Sequence, residues 1–259
     1  MPLKIAANLT MMFNEHDFMN RFAAAARNGF RGVEYLFPYD YSTDAIGEQL
    51  DKHNLQQVLF DFPAGDWANG DRGIAVQPDR VGEFQDGVGL AIEYAESLGC
   101  QRLTCLAGIP EAGADPAISD QTLVDNLRFA ADAAIDIDAI VLVEPLNTRD
   151  VPGTFVSDSN HGSRIVKDAL KDNVRLQFDV YHTQIMEGDL ATKFTNLLPS
   201  IGHVQIADNP GRHEPGSGEI NYPFILNHIE TSGYDGWIGA EYIPSAETES
   251  GLGWVKPYL

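Results

Sequence analysis

Two cysteines, Cys100 and Cys105, are all that 259 residues contain. They cannot build a disulfide framework and do not form a Cys-x-x-Cys pair, so a reducing cytoplasm is the expected compartment. Basic residues are scarce as well. Seventeen Lys and Arg stand against 38 Asp and Glu, giving a formal net charge of -21 and a pI near 4.4. Nucleic acid and anionic membranes are held by Lys and Arg, so neither is an expected partner, and the acidic surface reads as a solubility device. No apolar run approaches the ~18 residues of a membrane span. Met1–Leu9 is too short for a charged-then-apolar leader and reads as a strand. No Gly-x-Ser-x-Gly elbow occurs. The glycines of Pro215-Gly216-Ser217-Gly218-Glu219 lack the GxGxxG spacing, so serine acyl transfer and a phosphate loop are both unsupported.

What the chain does have is a core-forming composition, 44% hydrophobic and 21% charged, and a steady alternation of two periodicities. Strand-like runs fall at Leu3–Leu9, Gly32–Phe37, Gln56–Asp61, Arg102–Leu106, Ile140–Glu144, Val174–Asp179, Ile201–Ile206 and Trp237–Glu241. Between them lie helical patterns at about His16–Asn28, Thr43–His53, Asp79–Leu98, Ser119–Ala134, Ser159–Leu170, Gly188–Leu198 and Tyr222–Ser232. In the third of these, Val81, Phe84, Val88, Ile92, Ala95 and Leu98 recur every three or four residues. Short strands that are apolar on both faces, alternating with helices, predict a parallel sheet with crossover helices. Eight such units predict the α/β class and a single (β/α)8 barrel over residues 1–259, with no linker. A weak internal echo supports repeated units. Gly29-Phe30-Arg31-Gly32 and Gly233-Tyr234-Asp235-Gly236 each place a helix-stopping glycine before a strand that leads to Glu-Tyr. The Pro/Gly-rich stretches Pro63–Pro78, Ile109–Pro116, Pro145–Thr154 and Asn209–Gly218 follow strand ends. In a barrel they gather at the C-terminal face, where barrel active sites form.

The carboxylates carry the functional signal. Glu144, Asp179 and Glu241 end the apolar fifth, sixth and eighth strands, and Gln205 places an amide inside the seventh. Successive members are 35, 26 and 36 residues apart, each about one repeat unit. Barrel closure would set them in an arc where three like charges converge, and a divalent cation is the simple remedy. An all-oxygen ligand set suits Mg2+ or Mn2+. His182, three residues beyond Asp179, is placed to hydrogen-bond a substrate oxygen. His203 shares the face of Gln205 but lies lower, as packing or support. Arg212, on the loop after the seventh strand, is the candidate for a substrate carboxylate, with Arg72 and Arg149 as competitors. Cys105 has no evident base nearby and reads as a buried, inert thiol.

Longer blocks extend the pattern: Ala6-Ala7-Asn8-Leu9, Phe30-Arg31-Gly32-Val33-Glu34, Pro63-Ala64-Gly65-Asp66-Trp67, Glu144-Pro145-Leu146-Asn147, Asp179-Val180-Tyr181-His182, His203 to Pro210, Glu214 to Tyr222 and Gly239-Ala240-Glu241-Tyr242. Across nearly its whole length the chain resembles the hydroxypyruvate isomerase family of xylose-isomerase-like barrels. The resemblance implies one metal on Glu144, Asp179, Gln205 and Glu241, with Glu144 and Glu241 as the acid–base pair. It implies a small hydroxy-carbonyl acid substrate, isomerised between hydroxypyruvate and 2-hydroxy-3-oxopropanoate, and a homo-oligomer. Related ketose 3-epimerases carry a histidine where Gln205 stands, so the amide points to the hydroxypyruvate isomerase branch. Asp150 falls where those epimerases have a substrate-binding glutamate. The alternatives on the same scaffold are a 2-oxo-tetronate isomerase and a ketose 3-epimerase; outside it stands a non-catalytic sugar-acid binding protein.

Overall fold

The computed structural model describes residues 2–259, so Met1 lies outside the described residues. Eight parallel strands close in chain order, the last pairing with the first. They are β1 (Lys4–Asn8), β2 (Gly32–Glu34), β3 (Gln56–Asp61), β4 (Arg102–Cys105), β5 (Ile140–Val143), β6 (Val174–Asp179), β7 (Ile201–Ile206) and β8 (Trp237–Ala240). The helices are α1 (Phe18–Arg27), α2 (Thr43–His53), α3 (Val81–Leu98), α4 (Pro116–Ala134), α5 (Ser159–Ala169), α6 (Val180–Met186), α7 (Leu190–Leu197) and α8 (Tyr222–Thr231). This is the (β/α)8 barrel that the alternation predicts. Among the described residues no helix is long and apolar enough to cross a membrane.

Each strand has side chains of the barrel interior on one face and helices on the other, which is why runs such as Val141-Leu142-Val143 carry no polar alternation. The interior is divided along its axis. Ala6, Val58, Leu59, Leu142 and Trp237 form an apolar cluster of their own. Gly32 makes room for it, because a Cβ there would sit 2.6 Å from the Trp237 ring and 2.8 Å from Val58. Towards the strand C-termini the interior turns polar, with Asn8, Glu34, Gln177, Asp179, His203 and Gln205 all buried. Register holds them in line: Asp179 pairs with Gln205, Gln205 with Gly239, and Asn8 with Glu34.

Several boundaries depart from expectation, each for a local reason. β2 stops at Glu34 rather than Phe37, because the pairing with β3 shifts register between Val33 and Glu34. β5 and β8 stop one residue before Glu144 and Glu241, so both acids sit at the rim of the barrel, Glu241 still donating its backbone N–H to the Ile206 carbonyl at 3.1 Å. α4 begins at Pro116, not Ser119; Asp115 caps it by accepting from the Ala117 N–H, and proline suits the first helical turn. The helical patterns predict nothing over Val180–Met186, where α6 forms. Asp179 caps it directly from the strand end, leaving no spacer that would mark a helix start. The two echoing glycines, Gly29 and Gly233, both adopt positive φ (96° and 88°) after helix ends, as the echo implies.

Both thiols lie in the core. Burial pushes Cys100 up to about 12 and raises Cys105 further out of the ordinary thiol range. At about pH 8 the Cys100 thiolate fraction is then on the order of 10⁻⁴, so a thiol reagent should label neither residue in the native protein and both after denaturation. Fast stoichiometric labelling of folded protein would contradict this placement.

Candidate active site

Glu144 and Asp179 come together with His182 in one group of possible ligands, Glu241 lines the same cavity as Glu144, and Gln205 pairs with Asp179 in the polar layer beside it. Asp179 is positioned most rigidly. Its Oδ1 accepts the backbone N–H groups of Tyr181 (2.6 Å) and His182 (3.1 Å), and its Oδ2 is left free. One carboxylate thus starts α6 and still presents an oxygen to the cavity. Glu144 stands beside it, and Glu144, Asp179 and His182 each offer a ligand atom within 4.8 Å of the others. Glu144 Oε1 and Asp179 Oδ2 are buried with no hydrogen-bond partner. Buried polar atoms are almost always satisfied, so these two unpartnered carboxylate oxygens are candidates to hold a cation. The donor set is hard and anionic, which fits Mg2+ or Mn2+.

His182 is the third member of that group. Its Nδ1 accepts the Asn147 backbone N–H at 3.0 Å, which assigns the proton to Nε2. Nε2 lies 3.9 Å from Asp179 Oδ2. Burial first, and then the Arg212 charge, push the imidazole well below its ordinary pKa. It is therefore a neutral N–H donor facing the cavity. Gln205 is engaged from both sides: its amide donates to Glu34 Oε1 (2.9 Å), and its oxygen accepts from Gln177 (2.6 Å). An amide oxygen has a second lone pair, which remains available for a ligand bond.

Glu241 differs from the other acids because it is paired. Arg212 Nη2 donates to its Oε2 at 2.6 Å, and Asn8 Nδ2 to its Oε1 at 3.2 Å. Burial nevertheless pushes Glu241 up to about 8, with Asp179 and Glu34 adding repulsion and Arg212 opposing. Burial, then Glu241 and Asp179, raise Glu144 well above the usual carboxylate range. Burial likewise raises Asp179, against Arg212 and the two capping N–H groups. Arg212 sits in the left-handed region (φ 53°). The bridge between Asp208 and His213 and the bond from Ile243 N–H to the Arg212 carbonyl (2.8 Å) hold it there. The Asp208 carboxylate, fully buried, anchors the same loop by accepting the N–H groups of Gly216, Gly218 and Ile220.

A cavity of about 200 Å³ opens here, lined by Glu144, His182, Arg212 and Glu241 together with Asp61, Trp67 and Arg72. It is smaller than a typical drug-sized pocket and suits a metabolite of a few carbons. A roomier groove between α3 and α4 has Asp125 as its one acidic lining residue, away from the barrel mouth.

Sequence reasoning confined to the last four strands missed the other half of the polar layer. Glu34, at the end of β2, accepts from Asn8 (3.1 Å) and Gln205 and meets His203 Nε2 at 2.8 Å. Asn8 thereby links Glu34 to Glu241. Thr104 donates to Gln177 at 2.7 Å, extending the chain to β4. Asp61 ends β3 and is raised by burial, Glu241 and Glu34. The same strand-end rule, applied to the first four strands, would have found Asn8, Glu34 and Asp61. Gly239 is the space that admits Glu34, since a Cβ there would strike its carboxylate. Gly239→Ala should destabilise by about 3 kcal/mol, lowering Tm by roughly 5–10 °C in a chain of this size. A melting temperature equal to wild type would show that Glu34 has room elsewhere.

Barrel topology, the acidic mouth and the capped α6 define a class. The chain belongs to the family described as xylose isomerase-like TIM barrel, which matches residues 22–258, and within it to the hydroxypyruvate isomerase and 2-oxo-tetronate isomerase relatives. It is 50% identical to the 2-oxo-tetronate isomerase of Cupriavidus necator over 256 residues, 99% of this chain and 98% of the relative. It is 46% identical to the hydroxypyruvate isomerase of Escherichia coli, over 99% of both chains. Among solved structures it superposes with a TM-score of 0.97 on a Brucella melitensis protein described as AP endonuclease, family 2. The two are 48% identical, and the match covers 100% and 99% of the two chains.

Proposed function

We propose that the chain is a divalent-metal-dependent isomerase that interconverts hydroxypyruvate and 2-hydroxy-3-oxopropanoate through an enediolate. The observation that carries this reading is the pair of unpartnered buried oxygens, Glu144 Oε1 and Asp179 Oδ2, beside the neutral His182, with Glu241 lining the same cavity as Glu144. Isomerase activity is shared by the relatives at 40–50% identity. Glu144, Asp179, Gln205 and Glu241 are the proposed metal ligands. A divalent ion held there supplies positive charge where negative charge develops on the substrate oxygens. A proton leaves C3 and returns at C2, while the hydroxyl proton passes from O3 to O2. Glu144 and Glu241 would exchange the carbon-bound proton as a general acid–base pair. His182 Nε2–H donates to a substrate oxygen, and Arg212 binds the substrate from the Glu241 side. Trp67 covers the mouth and limits water access.

A 2-oxo-tetronate isomerase is the second reading, favoured by the Cupriavidus necator relative. The two readings share every residue above. DNA cleavage, which the description of the Brucella protein brings to mind, is opposed by the net charge of -21. A panel of hydroxypyruvate, four-carbon 2-oxo acids and free ketoses tests the assignment. The oxo acids should exceed the ketoses in kcat/KM by about 100-fold. Preferred turnover of a ketose would mark an epimerase, and no turnover of any substrate would mark a binding protein.

A further inference from the structure

We infer that Arg72, on the loop after β3, is the residue that holds the substrate's carboxylate and so selects oxo acids over neutral ketols. This rests on the oxo-acid reading above and assigns to Arg72 the carboxylate contact expected of Arg212 from sequence.

Charge accounting at the cavity is the first reason. Arg212 already donates to Glu241 at 2.6 Å and lies 3.9 Å from Asp150. Its guanidinium is thus already engaged by two carboxylates of the protein. A carboxylate brought in as a ligand needs a cation that is not so compensated.

Arg72 is such a cation. Among the described residues no carboxylate lies within ion-pair distance of it. Nη1 donates to the backbone carbonyls of Trp67 (3.1 Å) and Asp71 (2.6 Å), fixing one edge of the guanidinium. The plane rests on the Trp67 ring, 4.2 Å from its centroid. Trp67 is in turn packed edge-on against Phe37 at 5.1 Å. Stacking and the carbonyl bonds leave Nε and Nη2 without a protein acceptor, on a side chain that lines the same cavity as Glu144 and Glu241. A guanidinium immobilised on its face and along one edge is prepared for bidentate contact along the other. Arg149, the third candidate, donates to Asn209 Oδ1 at 3.2 Å and does not line the cavity.

The loop is built to keep that geometry. Asp66 caps the short turn Trp67–Asn69, and Asp71 Oδ2 accepts the Asp66 N–H at 2.7 Å and pairs with Arg80 at 2.8 Å. Gly73 and Gly108, both at positive φ, let the β3 and β4 loops meet backbone to backbone; a Cβ on either would strike the other loop.

Arg72→Gln and Arg72→Lys test the assignment, with steady-state kinetics on hydroxypyruvate and on the neutral ketol dihydroxyacetone. Arg72→Gln should raise KM for hydroxypyruvate by about 30-fold with kcat little changed. Arg72→Lys should fall between, and kcat/KM on dihydroxyacetone, which has no carboxylate, should fall by less than about 3-fold. Equal losses on both substrates, or an unchanged KM for hydroxypyruvate, overturns the assignment. A binding titration needs no turnover. Wild-type protein should bind D-glycerate at least about 10-fold more tightly than its neutral amide, and Arg72→Gln should bind the two alike. Equal affinity of wild type for both, including no measurable binding of either, also overturns it. If wild type turns over no oxo acid yet shows the Arg72-dependent preference for glycerate, the isomerase reading fails and the anion site stands.

Discussion

Glu241→Gln is expected to lower kcat on hydroxypyruvate by about 10³-fold, the range set by removal of a general base or acid. The same change should leave the melting temperature of the metal-free protein equal or higher. Burial is what pushes Glu241 up to about 8, which means that the folded state disfavours its charge. A neutral amide of the same shape removes that penalty. It loses part of the pairing with Arg212 and Asn8, since one amide nitrogen must face a donor. That partial loss costs about 1 kcal/mol, comparable with the penalty relieved. Activity and stability therefore move independently, as expected of a group retained for chemistry rather than for folding. Glu144→Gln should behave alike, because Glu144 Oε1 has no partner to lose. Proton exchange at the substrate carbon, followed by deuterium wash-in from D₂O, should fall in parallel with kcat. A variant that keeps wild-type wash-in would remove Glu241 from the proton path.

Chelation should silence the enzyme, and Mg2+ or Mn2+ should restore it. The larger effect is thermodynamic. With free ion at about 100 times Kd, binding to the native state alone adds about 2.7 kcal/mol. In a chain of this length that raises Tm by roughly 5–10 °C. The gain should exceed that of an ordinary surface ion, because Glu144, Asp179 and Glu241 are buried together and each is raised by burial and by neighbouring carboxylates. Asp179→Asn should abolish the metal-induced shift. It should also weaken α6, since the capping oxygen on Tyr181 and His182 N–H becomes an amide oxygen. His182→Gln should keep the shift and lose turnover, if the imidazole serves the substrate and not the ion. Full activity after exhaustive chelation, with no response of Tm to either cation, would end the metal-dependent reading.

Much of this molecule is legible in its sequence, and the reason is periodicity. The strand runs and the three-four spacing of α3 follow from which faces must be dry, and eight units of one size leave few topologies other than a closed barrel. The carboxylates ending β5, β6 and β8 are legible for the same reason, since a charge closing an apolar run has no packing role. What fails is boundary and partner. Asp179 serves as strand end and helix cap at once, so α6 has no separate start signal. The Asp115–Pro116 start of α4 reads as loop until the cap is seen.

Sequence alone determined that acids would crowd the barrel mouth, because the strand period and the repeat length fix which residues reach it. Tertiary structure alone decided how they are divided among partners. Glu34 joins Asn8, His203 and Gln205 through contacts across as many as 171 residues. Arg212 bonds to Glu241, while Arg72 rests on Trp67 with no carboxylate within ion-pair distance among the described residues. Periodicity places a side chain on a face. Only closure of the barrel sets distances between faces, and at these separations distance decides which charges cancel and which remain to bind substrate.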